Sequence, residues 1–459
     1  METNENRDYT FYEFTNSLCP ICLETVPAKI ILKDKKVYIL KYCKNHGEQL
    51  ELLEEDAEYH LKKKLYDKPG TSMKVHTKVE KGCPFDCGTC PQHDQHACIG
   101  LIEVTNKCNL RCPLCYADAG EGEILTLDNI EKMMDFFQES EGGQAEILQI
   151  SGGEPTIHPE IISILRMAKT KKFKYIMLNT NGIRIAADEE FVKELQQFVG
   201  GFEVYLQFDG FKSSSYKQLR GEDILDKKIK AIDNLAKYKI PTTLVSSISA
   251  GINDDEVGEI FLYGLKQPYV RGINYQPVSF FGRTDQTAEQ NRVTLSGIIK
   301  RLEKQTSGML RMNDFIPLPC NVERVGITYM YRSSKGGFVP ITRDARIREY
   351  LHMINNTFIY TVEDAMKSIG KSMLDMNTTC DCFKFLNDFK QMIPLDFFWK
   401  SKQQKMDYVD QNTFRVSVSS FLDAYNFDMK SMQKECVHVI TKDLRKIPFS
   451  AYNILHRKG

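Results

Sequence analysis

Seven of the chain's fourteen cysteines lie between residues 83 and 115, in "GCPFDCGTCPQHDQHACIGLIEVTNKCNLRCPLC". Thiols this dense are consumed either by disulfides in an oxidising compartment or by metal and redox chemistry in a reducing one. The first residues, "METNENRDYTFYEFTNSLCP", hold no basic segment followed by an apolar one, so no secretory leader is expected. No apolar run reaches the roughly 18–20 residues that a membrane span requires. A cytoplasmic protein follows, with peripheral membrane association left open, and the cysteines read as ligands.

The cysteines also punctuate the chain. Residues 1–98 read as a small cysteine-rich metal module, in which "AKIILKDKKVYILKYC" is a β-hairpin turning at Lys33–Lys36 and "DAEYHLKKKLYD" is a short helix with its three lysines on a solvated face. Residues 99–285 alternate apolar strands with helix-period segments, as a parallel βα array does. The strands expected are "LIEVTN", "EILQISGG", "YIMLNTNG", "EVYLQFDG", "TTLVSSIS" and "RGINYQPV". Six units are too few for a closed eight-stranded barrel, so the fold class is α/β with a partial (β/α)6 barrel and ligands at the C-terminal strand ends. Beyond residue 286 the alternation stops, and 286–459 reads as a C-terminal auxiliary-cluster and substrate region.

"CNLRCPLC" sets Cys108, Cys112 and Cys115 directly after the first strand of the array. Three thiolates on one loop can bind three irons of a 4Fe-4S cube and leave the fourth open to a small chelating ligand. Zinc would want a fourth donor, and no histidine follows closely. The second strand ends in "SGGEP", with Ser151, Gly152, Gly153 and Glu154: glycines allow close backbone approach, and Glu154 offers a carboxylate to an ammonium group. The third and fourth strands end in the polar stops "NTNG" and "QFDG".

With that combination the chain resembles the radical S-adenosylmethionine superfamily. The resemblance implies that the open iron is chelated by the amino acid end of S-adenosylmethionine. One electron then releases a 5′-deoxyadenosyl radical that abstracts hydrogen from an unactivated carbon. It further implies that Cys108, Cys112 and Cys115 carry the catalytic cluster and that Gly152, Gly153 and Glu154 hold the methionine end. Ser151 and Thr180 would join the cofactor site, and Gln207 and Ser247 would reach the ribose or make ordinary strand-end hydrogen bonds. The cofactor supplies the radical chemistry, and the protein supplies orientation.

The other cysteines suggest further metals. Cys83, Cys87, Cys90 and Cys98 could close a second iron–sulfur cluster, with a four-cysteine zinc site as the alternative. "CPIC" and "CKNH" bring Cys19, Cys22, Cys43 and His46 around one mononuclear iron or zinc. Cys320, Cys380, Cys382 and Cys436 could form a further auxiliary cluster, or be isolated buried thiols.

"EVTNKCNLRCPLC", "SGGEPT", "LQFDG", "NDDEVG", "NYQPVSFFGR" and "DAYNFD" are similar to the archaeal tetraether lipid synthase group and its bacterial relatives, also labelled dihydro-hydroxymethylpterin methyltransferases. A cysteine would be expected in such relatives where this chain has Ser450, which puts the ligand set of the C-terminal cluster in question. The resemblance leads to two expectations. The first is C–C bond formation on a lipid alkyl chain, with apolar stretches such as "VSFFGR" and "DFFWKSKQQ" lining a tunnel or simply packing the core. The alternative is C-methylation of a pterin or similar heterocycle. Either needs an external one-electron donor. Equal numbers of basic and acidic residues, 61 each, give no basic field to recruit nucleic acid.

Overall fold

The computed structural model describes residues 7–71, 74–284, 292–333, 336–343, 356–358 and 395–457, so the expected ligands Cys380 and Cys382 lie outside the described residues. Strands β1 (Thr10–Leu18), β2 (Thr25–Lys33), β3 (Lys36–Cys43) and β4 (Gly47–Glu54) form an antiparallel sheet in chain order. The expected hairpin is β2–β3. Its turn residues Asp34 and Lys35 both take positive φ, 50° and 60°, the twist that a two-residue hairpin loop prefers. Val26, Ala28, Ile30, Val37 and Ile39 alternate with polar positions and bury one face.

The array follows as β5 (Ile99–Glu103), β6 (Ile147–Ser151), β7 (Tyr175–Thr180), β8 (Phe202–Gln207), β9 (Thr242–Ile248) and β10 (Val270–Pro277), all parallel and paired in chain order. Residues facing outward, among them Ile102, Ile150, Leu178, Leu206 and Ile273, join one buried cluster with Ile130, Phe137, Ile164, Ile232 and Phe261 of the crossover helices. The opposite, concave face is left to line the interior.

The last third adds β11 (Ile316–Pro317), β12 (Val325–Arg332), β13 (Phe338–Pro340), β14 (Thr413–Ser419), β15 (Val437–Ile440) and β16 (Lys446–Pro448). β14 lies parallel to β10 and β15 parallel to β5, so the six-stranded array grows to eight parallel strands in a row. Antiparallel β12 and β16 then cover the two outer edges, which would otherwise offer unpaired backbone groups. Among the described residues no helix is long and apolar enough to cross a membrane.

The N-terminal sheet is fastened to the C-terminal "DAYNFD" loop. The Lys41 ammonium donates to the carbonyls of Leu18, Ala424 and Tyr425 at 2.7–2.9 Å, and Ser17 Oγ donates to Phe427 O at 2.6 Å. The three lysines read as a solvated face divide instead. Lys64 is open to solvent and Lys62 half-buried, but Lys63 is 1% exposed and its Nζ lies 2.9 Å from Glu54 Oε1. Glu54 is itself buried and accepts from Ser296 N and Oγ, so a cation has to be drawn inward. Lys63→Met should therefore cost about 3–5 kcal/mol by stranding the Glu54 charge. Lys64→Met should stay within about 0.5 kcal/mol. Thermal unfolding of the two variants checks this.

Candidate active site and metal centres

The cysteine loop leaves the C-terminal end of β5. Leu110 and Cys112 are buried with Tyr216 and Ile224, and Cys108 and Cys115 pack at the edge of that cluster. The two glycines of "SGGEP" explain how the loop fits. A Cβ on Gly152, at φ +135°, would sit 2.2 Å from Thr105 O, and one on Gly153 would sit 2.1 Å from Lys107 O. Freed of side chains, this backbone bonds the chain leading into Cys108: Gly153 N to Thr105 O at 2.7 Å and Glu154 N to Lys107 O at 2.9 Å.

Glu154 does not stand open to an ammonium ligand as expected. Its carboxylate accepts from Thr156 N, Thr156 Oγ1 and Thr180 Oγ1 at 2.6–3.0 Å, and from Asn181 N at 2.7 Å. Burial without water forces such saturation on a carboxylate. The network continues: Asn181 Nδ2 donates to Asn109 Oδ1 at 2.7 Å, and Asn109 lies between Cys108 and Cys112. Buried Lys228 donates to Asn181 O, with its pKa lowered by burial to about 8. Glu154, just beyond the adjacent strand β6, and Thr180, at the end of β7, thus brace the cysteine loop.

A second brace comes from β8 and β9. Arg220 donates twice to Asp209 at 2.7 Å, once to each carboxylate oxygen, and to Ser247 Oγ at 3.2 Å. Burial opposes the guanidinium charge, and Asp209 and the neighbouring Cys112 more than offset it. On the far side, a Cβ on Gly282 would meet Cys115 O at 2.3 Å, and Arg283 N donates to that oxygen at 2.9 Å. The "VSFFGR" segment therefore brackets Cys115, and only Phe281 of its two phenylalanines faces the interior. Of "DFFWKSKQQ", Phe397 is buried and Trp399 is 81% exposed.

Cys108, Cys112 and Cys115 share one small buried cluster, near enough for Cys108 to feel the charge of the other two. Burial pushes Cys108 up to about 11, and Glu154 and the other two thiols add to the shift. Three thiolates are stable in such a place only beside a strongly cationic partner. A cube with one iron left open meets that requirement, and this donor set fits it.

From Leu114 and Tyr116 an interior cavity of about 150 Å³, open at one end, runs down the concave face of the sheet. One wall is apolar, with Ile99, Leu101, Phe281, Phe421, Phe449 and Val437. The amides of Gln149, Asn179, Gln207, Asn274 and Gln276, on β6, β7, β8 and β10, also line it, with Asn321 and with Ser419, which donates to Asn274 Oδ1 at 3.0 Å. Arg220 is the one charged lining residue among those described. Asn321 Oδ1 is buried without a partner. Of the expected cofactor residues, Gln207 and Ser247 line this space. Ser151 is held by Tyr116 and Asn179, each at 3.2 Å. The amide wall and the Asp209–Arg220 pair went unread in the sequence, although the polar stop "QFDG" was the available sign of an aspartate needing a partner.

The remaining thiols fall into three groups. Cys19, Cys22, Cys43 and His46 have all four donor atoms within 4.8 Å of one another. The Sγ–Nδ1 distances from Cys19 and Cys43 to His46 are 3.4 Å, and Cys22 to Cys43 is 3.8 Å. A tetrahedral zinc with bonds of about 2.3 Å to sulfur and 2.0–2.1 Å to nitrogen would set these edges at about 3.5 and 3.8 Å. The expected grouping of Cys98 with Cys83, Cys87 and Cys90 is not what the fold makes. β15 pairs with β5 in the register Val437–Ile99, which sets Cys436 beside Cys98, and Cys320 joins them. The Cys320–Cys436 sulfur distance is 3.9 Å, and His96 Nε2 lies 3.6 Å from Cys98. Ser450 stands outside this group, bonded to Leu422 N and Glu435. Cys83, Cys87 and Cys90 line a separate small space.

Comparison with known proteins agrees with this anatomy. The Radical SAM superfamily profile matches residues 102–263, and the HMPTM N-terminal zinc ribbon domain matches residues 11–55. The chain is 34% identical to a 7,8-dihydro-6-hydroxymethylpterin dimethyltransferase of Methanocaldococcus jannaschii, over 97% of this chain and 94% of that protein. It is 30% identical to a probable GTP 3′,8-cyclase of Pyrococcus abyssi, over 36% of this chain and 52% of that one. Among solved structures, Streptococcus suis SuiB bound to its precursor peptide SuiA is similar over 47% of this chain and 46% of that chain, with 16% identity and a TM-score of 0.39.

Proposed function

The chain belongs to the radical S-adenosylmethionine superfamily, and from that premise we propose that it C-methylates an uncharged, dihydropterin-like heterocycle bound in the interior space. Membership brings S-adenosylmethionine and a 4Fe-4S cluster as cofactors, and in this reading Cys108, Cys112 and Cys115 hold that cluster. When bound, the pair supplies one-electron cleavage of a sulfonium and a carbon radical able to remove hydrogen from a C–H bond. The chain's own residues do the rest: the Glu154–Asn181–Asn109 network and the Asp209–Arg220 pair orient the cysteine loop, and the strand ends close the interior around a small molecule.

The observation that carries the substrate class is the amide wall. A flat heterocycle with alternating donors and acceptors can stack on Phe449 while its edge meets Gln149, Gln207 and Gln276. The unpartnered Asn321 Oδ1 awaits an N–H. An alkyl chain in the same place would strand several amides at roughly 1–3 kcal/mol each, which weighs against the lipid expectation. A triphosphate would find one guanidinium, already committed to Asp209, which weighs against a nucleotide substrate. The close similarity to a pterin dimethyltransferase supports the same reading.

The test is anaerobic turnover of the reduced protein with 7,8-dihydro-6-hydroxymethylpterin and S-adenosylmethionine, followed by mass spectrometry. Appearance of pterin carrying one or two additional methyl groups is expected. Unmethylated pterin, in a preparation that still forms 5′-deoxyadenosine, would refute the substrate class. Gln207→Leu should raise the pterin KM about tenfold, the equivalent of one lost hydrogen bond of about 1.4 kcal/mol.

A further inference from the structure

The strand pairing that draws Cys98 to Cys436 leaves Cys83, Cys87 and Cys90 one donor short. These three line a small pocket of about 10 Å³, which His93 also borders. His93 follows Cys90 by three residues, and a turn bond from His93 N to Cys90 O at 3.1 Å folds it back toward the cysteines. Its Nε2 lies 2.9 Å from Glu435 O and 3.2 Å from His438 Nε2. A carbonyl only accepts, so Nε2 bears the ring proton and the lone pair sits on Nδ1. No protein group among the described residues takes up that Nδ1. A ring held this way, by an N–H bonded to a backbone carbonyl, is the usual setting of a metal-ligating histidine.

We propose that His93, through Nδ1, is the fourth protein ligand of a cluster held by Cys83, Cys87 and Cys90, with Glu435 O and His438 fixing its ring. The proposal rests on the reading that these cysteines hold an iron–sulfur cluster. A neutral imidazole in place of a thiolate removes one negative charge from the ligand set. That raises the reduction potential above that of an all-cysteine site, as histidine ligation does elsewhere. The cluster is thereby suited to take an electron rather than to give one at very low potential.

The experiment uses the full chain, labelled with ¹⁵N-histidine and carrying Cys108→Ala, Cys112→Ala and Cys115→Ala so that the radical-site cluster is absent. Pulsed electron paramagnetic resonance of the reduced sample should show a directly coupled ¹⁵N nucleus. Replacing His93 by cysteine in that background should keep the bound iron, abolish the coupling and lower the midpoint potential. A paramagnetic cluster without nitrogen coupling in the unsubstituted background overturns the ligand assignment and leaves the cluster standing. Coupling that survives His93→Cys places the nitrogen elsewhere and also overturns it. If Cys83→Ala and Cys87→Ala remove no iron, both the assignment and the cluster beneath it are wrong. Thermal unfolding of each variant separates ligand loss from misfolding, and the measurement on the unsubstituted background is decisive alone.

Discussion

Cys112→Ala should reduce 5′-deoxyadenosine formation by at least about a thousandfold and remove roughly four irons per chain, while the other metal groups keep theirs. The size of the effect follows from the geometry. Cys112 is the buried member of the three, set between Leu110, Tyr216 and Ile224. A cube held by Cys108 and Cys115 alone would lose iron and the fixed orientation of its open corner. Because the Cys19 and Cys98 groups are built on other elements, iron and zinc analysis on the variant should show a partial loss. Complete loss of metal would mean that the substitution unfolds the chain. Unchanged 5′-deoxyadenosine formation would mean that the cysteine loop is not the radical site.

Arg220→Met is expected to be nearly as damaging by a different route. The guanidinium answers both Asp209 oxygens, touches Ser247 and adjoins Cys112, and both charges are buried. Removing it leaves Asp209 ionised without a cation, at a cost of about 3–5 kcal/mol. It also frees the cysteine loop to shift, and misplacement by about 1 Å can lower turnover about a hundredfold. Arg220→Lys should restore most of the thermal stability and little of the turnover, since an ammonium cannot span both oxygens in the plane of the carboxylate. Thermal unfolding and initial rates, measured on both variants, separate charge from geometry. Equal turnover by the lysine variant and the parent would show that the bidentate fork is not required.

How far such residues can be found without coordinates depends on the range of the force that places them. The six array strands were legible because buried parallel strands are short apolar runs, and their polar ends, such as Thr180 and Gln207, mark where the runs meet the site. The cysteine loop was legible because its three ligands are local. The Cys19, Cys22, Cys43 and His46 group was legible too, as two local pairs flanking a hairpin, but Cys98 meets Cys436 only through the β5–β15 register, across more than three hundred residues. β14 and β15 were missed for a related reason: strands of seven and four residues inside irregular sequence carry little periodicity. Glu154 was read as a ligand because a carboxylate after two glycines looks available. Its satisfaction by Thr156, Thr180 and Asn181 depends on two strands arriving together. Lys63 was read as solvated for the converse reason, its partner Glu54 being brought to it only by the helix docking on Ser296.

The account depends on an iron at Cys108, Cys112 and Cys115 that keeps a place for the amino acid end of S-adenosylmethionine. The most direct test is electron–nuclear double resonance on the reduced protein given S-adenosylmethionine labelled with ¹⁵N at the amino group and ¹⁷O at the carboxylate. Couplings from both nuclei at the cluster, lost together in Cys112→Ala, are the predicted result. A cluster spectrum that the labelled nucleotide leaves unchanged would contradict it.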